Sequence, residues 1–165
     1  MNIGRLFKHL LAPRWLAARY FGPTLAAEIG AAVVVAESIQ RGELCFVVEG
    51  PIPFVYLWHG HSARVRAADL FAQLRVWDTE ENSGVLIYVQ LVDHCVEILA
   101  DRGIAAKVPQ AEWDAICRSM ESAFKSADYR GGALAAIKRA GELLEQHFPA
   151  GERNPNELAD QPVLL

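Results

Sequence analysis

Two acids stand where an α/β sheet would offer them to a ligand. Glu49 ends the apolar run at residues 44–49 (LCFVVE), and Asp93 follows the apolar run at residues 85–92 (VLIYVQLV). Carboxylates brought together there can hold a hard divalent cation, Ca²⁺ or Mg²⁺, through their oxygens; left apart, they are ordinary strand-end acids in water. A second set of oxygen donors crowds one turn: Asp78, Thr79, Glu80, Glu81 and Asn82, with Asp101 further on. Its spacing lacks the glycine and distal glutamate of an EF-hand. It is either a cation-binding turn or an Asx-type turn that launches the next strand. His59-Gly60-His61-Ser62 offers two imidazoles at i, i+2 with no third ligand in view for zinc. Ser62 lies outside any G-x-S-x-G elbow, so turn and N-cap chemistry explain this tetrapeptide better. Asp78-Thr79 has the residue types of a phosphatase nucleophile loop, but such an aspartate ends a strand, whereas Asp78 follows a helix. No P-loop and no G-x-G-x-x-G occurs, so no nucleotide is expected.

The elements that must position these acids follow from periodicity. Residues 44–49 form a short, nearly all-apolar run and residues 85–92 a longer one, as buried strands do. Between them Ser62 caps a helix to about residue 74, with Ala63, Ala67, Leu70, Phe71 and Leu74 inward and Arg64, Arg66, Asp69 and Gln73 outward. Strand, helix, strand in that order makes a parallel crossover. Both Glu49 and Asp93 then fall at the C-terminal edge, where open α/β sheets bind ligands. Glu43, the 78–82 turn and Asp101 fall at the opposite edge. Asp93-His94 reverses the chain into an antiparallel strand over residues 95–100, in which Glu97 calls for an edge position or a partner.

Helices flank this sheet on both sides. One is expected from Thr24 as N-cap to about residue 40, with Gly42 behind it. Another starts at Pro109 and carries Trp113, Ile116, Cys117, Met120 and Phe124 as one stripe. A last one runs over about residues 133–148, after Gly131 and Gly132. Prolines make residues 54–58 an edge strand or a covering loop. The tail over residues 151–165 lies on the surface or is disordered. The fold class is therefore α/β: a small mixed sheet, parallel crossover plus antiparallel hairpin, in a three-layer α/β/α sandwich. The domain proper spans residues 23–150, behind an arm at 1–22.

The chain has 165 residues, 52% of them hydrophobic and 22% charged, with a net charge of −4. That is one domain with a full core, and the acidic balance argues against nucleic acid as a partner. Residues 1–20 carry Arg5, Lys8, Arg14 and Arg19 and no acid. This arm either packs as a helix on the domain or lies in a membrane interface, with Lys8, Arg14 and Arg19 at headgroups and Trp15 inserted; Pro13 divides it. Three cysteines, Cys45, Cys95 and Cys117, sit in apolar segments, as thiols in a reducing compartment do. No apolar run reaches the length of a membrane span, and no signal-peptide core appears in the arm. A cytoplasmic location is the expectation, with a peripheral position on the inner membrane as its variant.

RVWDTE at residues 75–80, Asn82, GVLIY at 84–88, ADRGI at 100–104, HFP at 147–149 and NEL…PVLL at 156–165 resemble the soluble bacterial branch of the TPM domain family. The name joins a thylakoid lumen protein, a photosystem II repair protein and a nematode receptor modulator. The resemblance implies an α/β sandwich with a Rossmann-like look. It also implies divalent-cation binding, notably calcium, in some relatives, weak acid phosphatase activity in others, and roles in membrane-complex maintenance with unknown protein partners. The family's acidic pair after the central strand corresponds here to Asp93-His94. The reading that results is a non-catalytic accessory domain with a candidate divalent-cation site, with a weak metal-dependent phosphatase or a membrane-docking module as alternatives.

Overall fold

A computed structural model describes residues 2–151 and 156–165. Four strands form one open sheet in the order β3-β2-β1-β4. They are β1 (Glu43–Glu49), β2 (Gly84–Gln90), β3 (Cys95–Ala100) and β4 (Val163–Leu164). β1 and β2 run parallel, with Glu43 opposite Gly84 and Glu49 opposite Gln90. β3 is antiparallel to β2. Every residue of β1 and β2 is buried, because helices cover both faces. Leu44, Phe46, Val48, Val85, Ile87 and Val89 face a core shared with α3 (Pro23–Glu37), α7 (Gln110–Lys125) and α8 (Tyr129–His147). Cys45, Val47, Leu86 and Tyr88 face α5 (Ala63–Gln73). The period of two along a strand thus assigns alternate residues to separate cores, which is the expected sandwich.

Pro13 divides the arm into α1 (Ile3–Leu11), capped by the Asn2 side chain, and α2 (Leu16–Tyr20). The next helix starts two residues earlier than the Thr24 cap suggested. Gly22 is the N-cap and Pro23 takes the first helical position, where its missing N–H costs nothing. It ends at Glu37 rather than near residue 40. Residues 54–58 form neither an edge strand nor a loop but a short helix, α4 (Phe54–Trp58), with Pro53 as its N-cap; the proline's fixed φ starts a turn here instead of ending a strand. Ser62 caps α5 as expected, accepting from the Val65 N–H at 3.3 Å.

After β3, Asp101 caps α6 (Arg102–Ala105). The last helix begins well before Ala133. Asp128 caps it by accepting from the Gly131 N–H at 2.8 Å, so Gly131 and Gly132 are its first turn. A side chain at Gly132 would meet Phe124 and Ala123 at under 3.0 Å. The reversal after β2 places His94 at φ 54°, where a glycine would have announced it.

The tail also differs from expectation. Residues 152–155 of it lie outside those described, but its last residues add β4 to the edge of β1, with Val47 opposite Val163 and Val48 opposite Leu164. Leu165 donates to the Val48 carbonyl and accepts from the Gly50 N–H, each at 2.9 Å. Four apolar residues are too short to read as a strand; the open edge of β1 supplies the partner they need.

At the start of β2, a Cβ on Gly84 would lie on the Val76 carbonyl oxygen. Gly84→Ala should therefore destabilise the fold by about 3 kcal/mol, read as a lower urea midpoint with unchanged slope. A midpoint within error of the parent would contradict this packing.

Candidate functional site

The C-terminal edge of β1 and β2 gathers the charged groups with the most structure around them. Glu49 is the last residue of β1 and points to the α5 side, together with Tyr88. Arg66 of α5 meets it: Nε lies 3.0 and 3.1 Å from the two carboxylate oxygens and Nη2 lies 2.6 Å from Oε1. The Tyr88 hydroxyl donates to Oε2 at 2.5 Å, and the guanidinium sits 5.0 Å from the Tyr56 ring centroid. Burial and the adjacent carboxylate push the Tyr88 hydroxyl far up from its ordinary value, so it stays a donor. Glu49 and Arg66 are both buried. Arg66 was expected to face solvent; it lies instead on the inward side, three residues after Ala63 and four before Leu70. The signal for it was Glu49 itself, since an acid ending a buried strand needs a cation.

Asp93 is held from the arm. Arg5 approaches with Nε at 2.9 Å and Nη2 at 2.7 Å from Oδ2. His9 Nε2 lies 3.1 Å from Oδ1, and its Nδ1 accepts from the Ile52 N–H at 3.0 Å. With Nδ1 accepting, the hydrogen belongs on Nε2, aimed at the carboxylate. Burial alone would raise the Asp93 pKa, but the hydrogen bonds from His9 and Arg5 and the Arg5 charge outweigh it and lower it to about 2. Arg5 and His9 share one face of α1, four residues apart. They lie 88 and 84 residues from Asp93 in sequence. The two acids at this edge thus have separate partners, Glu49 in the interior and Asp93 at the arm.

Of the tetrapeptide beside them, His59 and His61 stack with ring centroids 5.7 Å apart, Gly60 takes φ 70° and Ser62 is the cap already described. A cavity of about 330 Å³ opens between the arm and the 90–95 turn, lined by Lys8, Leu16, Tyr20, His94, Phe124 and Tyr129 among others. The arm's other cations stay outside. Arg19 lies over the Trp15 ring at 5.7 Å, and Trp15 is exposed.

At the opposite edge the acids are spread over separate tasks. Asp78 pairs with Arg75 at 3.4 Å in solvent. The Glu80 N–H donates to the Glu157 carboxylate, and Glu81 pairs with Arg41. Asn82, at φ 54°, accepts from Arg102 Nε at 2.8 Å. Asp101 accepts from the Arg102 N–H at 2.7 Å. Thr79 Oγ1 accepts from the Ser83 N–H at 2.8 Å, the Asx-like turn that launches β2. Among the described residues, no group of three or more His, Cys, Asp or Glu converges as a metal would require.

A buried acid cluster near this edge escaped the sequence reading. Glu37, at the end of α3, accepts from the Leu44 N–H at 2.8 Å; Glu43, at the start of β1, accepts from the Leu158 N–H at 3.0 Å. Burial raises Glu37 to about 8, with Glu43 and Asp160 adding repulsion. Burial likewise raises Glu43 to about 7, with Glu157 and Asp160 adding to it. The signal was thin, because nothing in the sequence brings Glu157 and Asp160 back to β1.

Fold and site together define a small α/β domain whose strand-end acids are neutralised from within. A family profile described as the TPM domain matches residues 18–143; the chain belongs to the TPM domain family. The matched stretch begins after α1, so Arg5 and His9 lie outside it. Among solved structures, the chain is similar to the BA42 protein of the psychrophilic bacterium Bizionia argentinensis, with 27% identity, a TM-score of 0.74, and 85% of this chain and 92% of that chain covered. The N-terminal domain of a protein from P. gingivalis shares the fold, at 14% identity and a TM-score of 0.62 over 79% of this chain and 82% of that one. No curated protein matches.

The two acid sets give opposite pH signs. Asp93 is depressed in the folded state, so its stabilisation is present above about pH 4 and is lost as pH falls through 2. Asp93→Asn should remove about 2 kcal/mol at pH 7 and speed amide exchange in α1; unchanged exchange there would contradict the clasp. Glu37 is raised, so its contribution is full below about pH 4.5 and is lost as pH rises through 8. Glu37→Gln keeps the acceptor for Leu44 and should flatten the fall in Tm between pH 5 and 8; an equal slope in both proteins would refute the assignment.

Proposed function

We infer that this chain is a non-catalytic TPM accessory domain that docks on a membrane surface through residues 3–20. One observation carries the reading: α1 packs inside out. Its Arg5 and His9 face turns inward to Asp93, while Ile3, Phe7, Leu10 and Leu11 stand in solvent, Leu11 at 81% exposure. A helix that gives its polar side to its own protein has its apolar side left for something else. Lys8, Arg14 and Arg19, with no acid among residues 1–20, suit that surface to anionic headgroups. Among the described residues no helix is long and apolar enough to cross a membrane, so the contact proposed is peripheral. A non-catalytic role is supported by Glu49 and Asp93 being committed to Arg66 and Arg5.

A divalent cation at Asp93 is the second reading, favoured by a carboxylate held ionised at the strand-end crevice. The ion would exchange with the Arg5 guanidinium. Titration calorimetry with Ca²⁺ should then give more heat for Arg5→Ala than for the parent; no heat from either at millimolar ion rejects it.

The docking reading is tested by sedimentation with phosphatidylcholine–phosphatidylglycerol vesicles. The parent should pellet with anionic vesicles, and Phe7→Ala/Leu11→Ala should lose at least about tenfold in partitioning, since two large side chains leave the interface. Equal binding by both proteins, or none by either, overturns it.

A further inference from the structure

We propose that α4 is a second lipid-inserting element, held beside α1 so that the two helices enter an anionic bilayer as one unit. This rests on the docking reading and extends it to a segment far from the arm in sequence. Only Leu57 of α4 is buried, and Tyr56 is turned to Arg66. Phe54, Val55 and Trp58 fall at i, i+1 and i+4, and are 51%, 56% and 56% exposed. The Phe54 and Trp58 rings pack on each other with centroids 5.7 Å apart. Residues 50–60 contain no Asp, Glu, Lys or Arg, so nothing charged on this segment opposes insertion.

The link to α1 is specific. His9 Nδ1 accepts from the Ile52 N–H, just before α4, and Arg5 Nη1 donates to the His61 carbonyl at 2.5 Å, just after it. The same two residues hold Asp93. The arm is therefore pinned to both ends of the α4 segment and to the sheet at once, and α1 packs against α4. Two neighbouring helices with exposed apolar faces, aromatic side chains and flanking cations match the chemistry of a bilayer interface, where Trp and Phe sit at headgroup depth. A second copy of the chain suits the surface less well. A two-fold pairing would bring the patch bearing Lys8, Arg14 and Arg19 against an identical patch, with no acid in residues 1–20 or 50–60 to complement it, and juxtaposed like charge opposes association.

Quenching by brominated lipid separates this proposal from docking by the arm alone. The parent, Trp15→Phe, Trp58→Phe and the double variant are mixed with phosphatidylcholine–phosphatidylglycerol vesicles carrying bromines near the headgroup. If α4 inserts, Trp15→Phe is still quenched and the double variant loses that quenching. Phe54→Ala/Val55→Ala should also weaken partitioning by about tenfold while leaving the urea midpoint unchanged. Vesicle binding in which Trp15→Phe shows no quenching overturns the role of α4 and leaves arm docking intact. No vesicle binding by the parent, or dimerisation on sedimentation without vesicle uptake, overturns both.

Discussion

The Asp93 carboxylate determines what the C-terminal edge of this sheet can do. Three donors from Arg5 and His9 reach it, while its own N–H donates to Gln90 Oε1 at 2.9 Å. Gln90 in turn donates to the Gly50 carbonyl at 2.5 Å, which fastens the end of β1. Asp93, through its carboxylate to Arg5 and His9 and its backbone N–H to Gln90, therefore ties the arm to both central strands, and Arg5 and His9 tie the α4 segment to the same point. Charge-assisted hydrogen bonds of this kind are about twice as strong as neutral ones, and here they replace apolar packing as the means of holding a helix. The consequence is that the apolar side of α1 is free, while Ala17 and Phe21 further along the arm are buried in the core.

Glu49 solves a different problem at the same edge. It is a carboxyl group at the end of a strand buried on both faces, where an unpaired polar group would be costly. Arg66 and Tyr88 saturate its oxygens, so the acid that topology placed at the ligand crevice is an interior ion pair. The two acids match in position and differ in use because the neighbouring element differs: α5 covers one and a separable arm covers the other.

Legibility in the sequence follows the range of the interaction. β1 and β2 were readable because burial on both faces leaves an unbroken apolar run, and the crossover helix because its stripe has period 3.6. The hairpin was readable in outline, although His94 had to adopt the left-handed region without a glycine to mark it. What could not be read depends on distant partners. β4 exists only because β1 has an open edge more than 100 residues earlier. Arg66 turns inward only because Glu49 waits there. Arg5 and His9 look like surface polar residues until Asp93 is set against them. α4 misled for a local reason: prolines mark strand edges and helix starts alike, and only the buried Leu57 decides between them.

The two ends of the sheet treat their acids differently. At the C-terminal edge Asp93 is kept ionised by its hydrogen bonds to His9 and Arg5; at the other, burial and neighbouring acids disfavour the charge of Glu37 and Glu43. Each arrangement fastens a terminal segment to the sheet, the arm by Asp93 and the tail by Glu43. A helix held by polar contacts, as α1 is, can leave at little hydrophobic cost, whereas Ala17 and Phe21 fix the rest of the arm in the core. For α1 this has a direct consequence. Detaching it would expose no further apolar face, since Ile3, Phe7, Leu10 and Leu11 already stand in solvent, but would unpair Asp93 and release both ends of the α4 segment. Under the docking proposal, lipid contact with α1 and α4 together would favour the clasp staying closed, and the carboxylate that orders the arm would also orient it at the membrane.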